Sequence, residues 1–291
     1  MNADPKSLLI FGCGFLGGRV AQQWRERGGT VAAVTRSVEK AEELAARGIE
    51  PVLADLMRPE TLTALPSVSR VLYCVGYDRS SSWSKESLYI EGLTHVLDAM
   101  QNRMDRFVYV SSSSVYGQDD GSWVDESSPT EPTTDGGRIC LTAEQRLRER
   151  VAQATILRMS GLYGPDRLLA RVEQLRAGEP IGGNPEAWLN LIHGDDAARS
   201  CVAALIAADP GPLYLVSDDR PISRREYFRE LARRVGAPPP QFSGGSTARH
   251  TPDGLNKRCR NETVKAELSV EWFYPDITQG LPDGCVHPKP R

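Results

Sequence analysis

Three glycines near the start of the sequence have a spacing that suits phosphate binding. The segment Gly12–Gly17 reads G-x-G-x-x-G and follows directly after the apolar run Ser7–Phe11. In a strand–turn–helix setting, the first glycine permits a tight turn, the second lets the backbone approach a pyrophosphate, and the third lets helix and strand pack closely. Unpaired N–H groups at the helix start then bind the phosphates. The alternative is a glycine-rich turn without a ligand.

The end of the next apolar run indicates which dinucleotide would bind. A site for NAD usually places Asp or Glu there to hold the adenosine ribose hydroxyls. Here the run ends in Thr35-Arg36-Ser37, and the first carboxylate is Glu39. Arg36 offers a planar cation to a 2′-phosphate, and the hydroxyls on either side can donate to it. We therefore expect NADP as the cofactor, with NAD less favoured; the alternative is that Arg36 is simply solvated.

Alternating strands and helices in the first half of the sequence would position these residues. Short β-rich runs predict strands at Ser7–Phe11, Thr30–Val34, Glu50–Leu53, Val71–Val75, Phe107–Val110 and Thr155–Leu157. Helical spacing predicts a helix from Leu16 that stops at Gly28, and further helices at Val38–Arg47, Lys85–Gln101 and Leu141–Ala152. This alternation predicts an α/β fold with a doubly wound parallel sheet of the Rossmann type.

Past residue 160 the pattern loosens, which predicts a smaller second part. The sequence predicts helices at Arg167–Ala177, Asp195–Ala208 and Arg224–Val235, a strand at Leu213–Val216, and loops at Gly178–Pro185 and Gly236–Gly254. We expect a cofactor-binding domain over residues 1–160 and a mainly substrate-binding part over residues 161–291. Residues from about 190 to 216 are expected to return to the first domain.

Composition argues against several classes of function. The 291 residues include 35 Lys and Arg against 38 Asp and Glu, which suggests neither a nucleic-acid surface nor a polybasic membrane anchor. No apolar run approaches the roughly 18 residues of a membrane span, and the first residues lack a secretory pattern. Six cysteines without a C-x-x-C pair fit reduced thiols better than a disulfide framework or a zinc site. We expect a soluble, cytoplasmic protein that binds no metal, nucleic acid or membrane.

Further motifs resemble those of one family. Leu53–Leu56 resembles the segment whose Asp contacts adenine, Cys74–Gly76 the turn beneath the cofactor, and Val110–Gly117 the strand end V-Y-G. The match continues through Trp123–Glu126 with Pro129 and Pro132, Leu157-Arg158, Gly161–Pro165, Leu191–Asp196 and Asn256–Arg258. The chain thus resembles the extended short-chain dehydrogenases/reductases, also called the NAD-dependent epimerase/dehydratase family.

This resemblance implies hydride transfer between a nicotinamide cofactor and a small polar substrate, sugar-like or carbonyl. Together with the glycine loop and Arg36, it gives the residues expected to contact the cofactor: Gly12, Cys13, Gly14, Phe15, Leu16, Gly17, Thr35, Arg36, Ser37, Asp55, Leu56, Cys74, Val75 and Gly76. A small-molecule substrate is the expected partner, and a homodimer is kept open.

The sequence departs from the family pattern at two places. The glycine loop is one residue shorter between its first two glycines. This changes the shape of the loop but not the way in which its backbone would bind phosphate. The family's Y-x-x-x-K is followed at a fixed distance by a Glu, and taking Glu144 as that Glu puts Gly136 at the Tyr position and Cys140 at the Lys position. Because neither residue can supply the acid–base chemistry of that pair, we expect an atypical member.

Several polar residues remain as candidates for chemistry. By the resemblance, Ser112 takes the position of the catalytic hydroxyl, although four successive serines at a strand end can also simply hydrogen-bond a turn. Tyr77 follows Gly76 in a loop expected to face the nicotinamide, and it is the best replacement phenol. Helix capping explains Asp195 and Asp196 well. The candidates for contacting substrate are Ser113, Arg158 and His193.

Three hypotheses about function stay open. The first is an NADP-dependent oxidoreductase or epimerase. The second is an NADP-binding sensor or regulatory protein without turnover, which the missing Tyr and Lys favour. The third is a scaffold that has kept the fold without the ligand, which the intact glycines and Arg36 argue against.

Overall fold

A seven-stranded parallel sheet forms the centre of the structure, a computed structural model that describes residues 6–165, 167, 171–243 and 255–281. Its strands follow the order β12-β7-β5-β4-β1-β2-β3, and eight shorter strands pair outside it. In chain order the strands are β1 (Ser7–Phe11), β2 (Thr30–Thr35), β3 (Glu50–Leu53), β4 (Arg70–Tyr73), β5 (Arg106–Ser112), β6 (Trp123–Val124), β7 (Thr155–Met159), β8 (Gly161–Tyr163), β9 (Ile181–Gly182), β10 (Trp188–Leu189), β11 (Leu191–His193), β12 (Leu213–Val216), β13 (Ile222–Ser223), β14 (Phe242–Ser243) and β15 (Arg258–Cys259).

The strand order reverses direction next to β1. The chain builds outward from β1 to β3 and then returns to place β4 on the other side of β1. Phe11 at the end of β1 pairs with Val34 of β2 and with Tyr73 of β4, so the three strands end side by side. In doubly wound sheets, ligands bind outside the carboxyl ends of the strands at such a reversal. The residues that follow Phe11 and Tyr73 therefore lie at the expected binding position.

Helices cover both faces of the sheet, which explains why its inner strands are largely apolar. Leu8 and Ile10 of β1 belong to the core under α1 and α6, whereas Leu9 and Phe11 belong to the core under α3 and α4. The helices are α1 (Phe15–Glu26), α2 (Val38–Ala46), α3 (Lys85–Ala99), α4 (Asp135–Arg150), α5 (Val172–Arg176), α6 (Gly194–Ile206), α7 (Arg224–Val235), α8 (Glu262–Leu268) and α9 (Ile277–Gly280), with 3₁₀ turns at Pro59–Ala64 and Ser113–Val115.

A smaller apolar core lies beyond the sheet. Leu175 of α5, Ile222 of β13, Phe228 and Leu231 of α7, and Ile277 of α9 are buried together in it. By contrast, α6 packs against α1, and β12 pairs with β7 at the edge of the central sheet. The later half of the chain thus contributes both to this second core and to the sheet.

The start of α4 differs most from its predicted bounds: the helix begins at Asp135, not at Leu141. The side chain of Thr134 caps it by accepting the N–H of Gly137 at 3.0 Å. A β-carbon at Gly137 would lie 2.3 Å from the carbonyl oxygen of Ser114. The glycines that indicate a loop in the sequence are therefore needed for close packing of the helix start.

Other predicted bounds need smaller corrections. Both β5 and β7 run two residues further, because Ser111 and Ser112 pair with Arg158 and Met159. The strand predicted at Val71–Val75 is Arg70–Tyr73, and the predicted helices Val38–Arg47, Lys85–Gln101, Asp195–Ala208 and Arg167–Ala177 are Val38–Ala46, Lys85–Ala99, Gly194–Ile206 and Val172–Arg176. Residues 168–170 of the last, and residues 244–254 of the predicted loop Gly236–Gly254, lie outside the described residues.

Candidate functional site

The glycine loop closes the carboxyl end of β1. Gly12 has a φ of +93°, and a β-carbon there would lie 2.5 Å from the carbonyl oxygen of Cys74, so the position requires glycine. A β-carbon at Gly17 would lie 2.4 Å from the carbonyl oxygen of Gly12. At Gly14 the same position meets no atom within 4 Å. The first and last glycines thus serve packing, and the middle one leaves the backbone open to a ligand.

The start of α1 is suited to hold an anion. Gly14 is its N-cap, so no side chain caps the helix, and its first turn contains no acidic residue. The N–H groups of this turn lack intrahelical partners, and the helix dipole places partial positive charge at the same end. Glycine loop and helix start therefore present backbone donors to the same open space.

A cleft of about 800 Å³ runs from this loop along the carboxyl ends of the central strands. Its volume is in the range of small-molecule and cofactor sites. The predicted site residues that line it are Gly12, Cys13, Gly14, Phe15, Leu16, Thr35, Arg36, Cys74, Val75, Gly76, Tyr77 and Ser112. Those that do not line it are Gly17, Ser37, Asp55, Leu56, Ser113, Arg158 and His193.

Arg36 lies at one end of the cleft, where β2 stops. Its side chain is exposed, and Lys40 from the first turn of α2 lines the same end. The hydroxyl of Ser37 is engaged elsewhere, because it accepts the N–H of Lys40 at 3.1 Å and donates to Glu39 at 2.6 Å. Of the two hydroxyls beside Arg36, Thr35 is the one that lines the cleft. Lys40 lines it too, with its Nζ paired to Glu43 at 2.5 Å.

Ser112 lies at the end of β5 and lines the same cleft as the glycine loop. Its Oγ accepts the N–H of Ser114 at 3.2 Å, which leaves its own O–H available to the cleft. Ser111 also lines the cleft, but its hydroxyl donates to Glu144 at 2.5 Å. Ser113 does not line the cleft, whereas Ser114 does. Of the four serines, Ser112 is therefore the best placed to donate to a ligand.

Arg158 is engaged in a buried ion pair away from the cleft. Its Nη2 and Nε donate to Glu144 at 2.7 and 3.1 Å, and its Nη1 donates to the hydroxyl of Tyr116 at 2.8 Å. Arg158 is 6 % exposed and Glu144 is 2 % exposed. With its guanidinium used in this way, Arg158 joins β7 to α4, and it does not line the cleft as a substrate contact would.

His193 is the N-cap of α6 and lies outside the cleft. Its Nδ1 accepts the N–H of Asp195 at 3.2 Å, and its ring packs against Tyr163 and Tyr274. Burial lowers the pKa of this imidazole below its ordinary value, so the ring is neutral near pH 7. His193 therefore caps α6 and does not line the cleft as a substrate contact would.

The two acidic residues after His193 lie in the first turn of α6, as predicted, where negative charge favours the helix dipole, but neither supplies the side-chain cap. Asp195 pairs with Arg19 of α1 at 2.9 Å. Asp196 is buried and accepts the N–H groups of Phe273 and Tyr274 at 2.9 and 2.8 Å. They hold neighbouring segments against the start of α6, and the cap itself comes from the imidazole.

Residues of the segment after β3 also lie away from the cleft lining. Asp55 accepts the N–H of Met57 at 3.0 Å, and buried Leu56 offers its carbonyl oxygen to His95 at 2.8 Å. Tyr77, by contrast, lines the cleft and is 36 % exposed. Asp55 and Leu56 therefore hold the turn after β3, whereas Tyr77 remains accessible to a ligand.

Sequence reasoning missed two cleft residues at the start of α3, Lys85 and Tyr89. Ser84 caps this helix by accepting the N–H of Ser87 at 2.9 Å, which sets Lys85 in the first turn and Tyr89 one turn later. The hydroxyl of Tyr89 accepts the N–H of Tyr77 at 3.2 Å. A Lys-x-x-x-Tyr spacing directly after a capping serine is the sequence signal for this pair.

Three cysteines line the cleft: Cys13, Cys74 and Cys140. Burial raises the pKa of all three thiols. They are therefore protonated at neutral pH, and a thiolate nucleophile is not favoured at these positions. Among the described residues, no group of three His, Cys, Asp or Glu side chains is placed to hold a metal ion.

Comparison with known proteins establishes the family. Residues 8–216 match the sequence model of the NAD dependent epimerase/dehydratase family. The chain belongs to this family. Within the described ranges, no helix of this epimerase/dehydratase family member has the length and apolar character needed to cross a membrane.

Relatives of this family member match over nearly the whole chain. Protein YeeZ of Escherichia coli K12 is 28% identical over 279 residues, which cover 93% of this chain and 97% of that protein. The solved structure of a putative NAD-dependent epimerase/dehydratase from Methylobacillus flagellatus is 31% identical, with a TM-score of 0.76 and coverage of 95% and 96%. MoeE5, solved with UDP-glucose and NAD, shares the fold at 22% identity, with a TM-score of 0.77 and coverage of 94% and 95%.

Proposed function

We propose that this protein is an NADP-dependent oxidoreductase of the epimerase/dehydratase kind that acts on a small polar substrate, sugar-like or carbonyl. The observation that carries the proposal is one continuous cleft, lined by the glycine loop, by Arg36 at the end of β2 and by Ser112 at the end of β5. It joins groups suited to phosphate with a hydroxyl suited to a reacting oxygen.

The residues present fit an NADP molecule. Backbone donors at Gly14 and at the uncapped start of α1 would hold the pyrophosphate. Arg36, assisted by Thr35 and Lys40, would hold the 2′-phosphate through charge-assisted hydrogen bonds. When bound, the cofactor supplies or accepts a hydride at its nicotinamide ring. In this arrangement the exposed guanidinium of Arg36 favours NADP over NAD.

Ser112 would orient the substrate. Its O–H donates to a carbonyl or alkoxide oxygen, and its Oγ is held in place by the N–H of Ser114. Tyr77 is accessible in the same cleft and would contact the substrate from the loop after β4. The presence of UDP-glucose in the structure of MoeE5 supports a sugar-like substrate for this fold.

A second candidate function, an NADP-binding sensor without turnover, is favoured by one observation. Gly136 and Cys140 lie one turn apart at the start of α4, and Cys140 lines the cleft, so the helix brings no Tyr or Lys there. A protein that binds the cofactor and reports its redox state needs no acid–base pair.

Titration with NADPH, NADP⁺, NADH and NAD⁺, followed by a search for NADPH oxidation with sugars, aldehydes and ketones, separates these functions. We expect NADPH to bind at least about tenfold more tightly than NADH, and NADPH to be oxidised with one class of carbonyl compound. Equal affinities for NADPH and NADH would contradict the NADP proposal. Tight binding without turnover on any class would favour the sensor.

A further inference from the structure

The missing side chain at Gly136 leaves a space that Lys85 fills. A β-carbon at residue 136 would lie 2.9 Å from the Nζ of Lys85, a distance closer than carbon and nitrogen tolerate. The ammonium therefore lies directly beside the place where a side chain at this position would begin. Cys140 follows one turn later on α4, close enough that the charge of Lys85 opposes the rise in its thiol pKa caused by burial.

Lys85 is held toward the cleft by its own helix. It lies in the first turn of α3, and its Nζ lies 5.2 Å from the ring centroid of Tyr89, one turn later. A cation over an aromatic face gains electrostatic attraction without losing its charge. The ammonium is half-buried, lines the cleft, and has no carboxylate partner among the described residues. A cation held in this way is available to an anionic or polarised oxygen.

We propose that Lys85 takes the part of the family's missing tyrosine: its ammonium donates the proton to the substrate oxygen, and Tyr89 positions it. The inference rests on the proposed function. During reduction the substrate carbon gains the hydride, and the electron pair of the C=O π bond moves to the oxygen. The oxygen takes a proton from Nζ, and the neutral amine regains one from water; oxidation reverses each step.

A lysine ammonium can act as a general acid, as a tyrosine phenol can. Tyr89 is less suited to the part, because its hydroxyl already accepts the N–H of Tyr77 and burial raises its pKa. Ser112, which lines the same cleft, would donate a second hydrogen bond to that oxygen.

A titration of Lys85 itself tests the placement without any substrate. Reductive methylation with ¹³C-formaldehyde keeps the charge of lysines and gives each a resonance, and Lys85→Arg identifies that of Lys85. We expect its pKa to be lower with NADP⁺ than with NADPH by about half a unit or more, because the oxidised ring carries a positive charge. If both cofactors bind but the pKa of Lys85 is equal in the two complexes, the placement of Lys85 near the nicotinamide is wrong and the proposed function stands. If neither cofactor binds, the proposed function is wrong as well.

Turnover of the best carbonyl compound from the panel tests the role. Lys85→Met should lower kcat by roughly 10²–10⁴-fold and change the Kd for NADPH less than about threefold. Lys6→Met, at an exposed position before β1, is the matched control. The activity that remains in Lys85→Met should lack the loss at high pH that deprotonation of Lys85 causes in the parent. A loss of NADPH affinity as large as the loss of kcat would make Lys85 a cofactor ligand and overturn the role.

A rescue variant separates chemistry from folding. In Lys85→Ala the space next to residue 136 is open, so Gly136→Tyr with Cys140→Lys in that background rebuilds the family's pair on α4. We expect the kcat of this triple variant to be at least about tenfold higher than the kcat of Lys85→Ala. Failure of a triple variant that is folded, as judged by its NADPH affinity and melting temperature, would count against equivalence of the two arrangements.

Discussion

The guanidinium of Arg158 on β7 donates to both carboxylate oxygens of Glu144 on α4, in a site where each residue is less than a tenth exposed. The same carboxylate accepts the hydroxyl of Ser111 at 2.5 Å, and the same guanidinium reaches Tyr116. These bonds fix α4 against the end of the sheet. They therefore set the position of the first turn of α4, where Gly136 lies next to Lys85.

Breaking this ion pair should destabilise the fold strongly. We expect Glu144→Ala to lower the free energy of unfolding by about 3–5 kcal/mol, because it leaves the Arg158 charge buried and uncompensated. The double variant Glu144→Leu with Arg158→Met should cost less, since both charges leave together. Urea unfolding followed by circular dichroism measures both. A cost below about 1 kcal/mol for Glu144→Ala would contradict a desolvated pair.

Arg36→Ala should weaken NADPH binding by roughly ten- to a hundredfold, because a charge-assisted contact to phosphate contributes about 1.5–3 kcal/mol. NADH, which lacks the 2′-phosphate, should bind Arg36→Ala as it binds the parent. Fluorescence titration with each cofactor measures the difference.

Arg27→Ala, at an exposed arginine after α1, is the control for the loss of one surface charge and should leave both affinities unchanged. If Arg36→Ala weakened NADPH and NADH equally, Arg36 would act on a part that both cofactors share, and the preference for NADP would need another source.

Ser112→Ala should lower turnover and leave the Kd for NADPH within about twofold. Loss of one hydroxyl donor to a developing oxyanion costs roughly 10²–10³-fold in kcat when the donor is fully engaged. Ser82→Ala, at an exposed serine before α3, provides the matched control. Weaker NADPH binding with unchanged kcat would show that Ser112 contacts the cofactor and not the substrate.

Patterns within one element made most of the sheet predictable. Ser7–Phe11 and Leu213–Val216 have the predicted bounds, because a strand covered on both faces is apolar along most of its length. Glu50–Leu53 also has the predicted bounds, although it is an edge strand whose two end residues are exposed. The start of α4 was missed, since Gly137 is there to avoid the carbonyl of Ser114. That requirement comes from a neighbouring turn and leaves no trace in local helix propensity.

The cofactor half of the site was more accessible to sequence reasoning than the substrate half. A glycine loop and the residue after β2 are local signals, and most of the residues they indicated line the cleft. Lys85 belongs to a different helix from Gly136, and their proximity arises from packing between α3 and α4. Arg158 pairs with Glu144 on another element, and the ring of His193 packs against tyrosines that are distant in sequence, so the burial of both side chains was not visible from composition.

The buried carboxyl of Asp218 should make stability depend on pH. Burial, with the nearby charges of Asp276 and Asp219, raises the pKa of Asp218 to about 8. Because the folded state holds this proton up to a higher pH than the unfolded state does, stability falls as pH rises from about 4 towards 8. Asp218→Asn carries no such titration. The free energy of unfolding of the parent relative to Asp218→Asn should therefore fall by about 1–4 kcal/mol between pH 5 and pH 8.

Chemical unfolding of both proteins at several pH values measures this difference, and the comparison cancels contributions from His193 and other groups that both proteins share. A relative stability that stays constant across this range would mean that Asp218 is already ionised in the folded protein at pH 5.

The edge strand β12 has a consequence for synthesis on the ribosome. It pairs along the whole of its length with β7, although the second core is built largely from residues on either side of it in sequence. When the nascent chain has reached residue 160, the ladder of β7 still has an unpaired edge, and such edges promote association between chains. That edge of β7 is covered only after residues 213–216 have emerged. Truncation before that point should yield aggregates, and a pause in synthesis near residue 160 would leave the edge of β7 exposed.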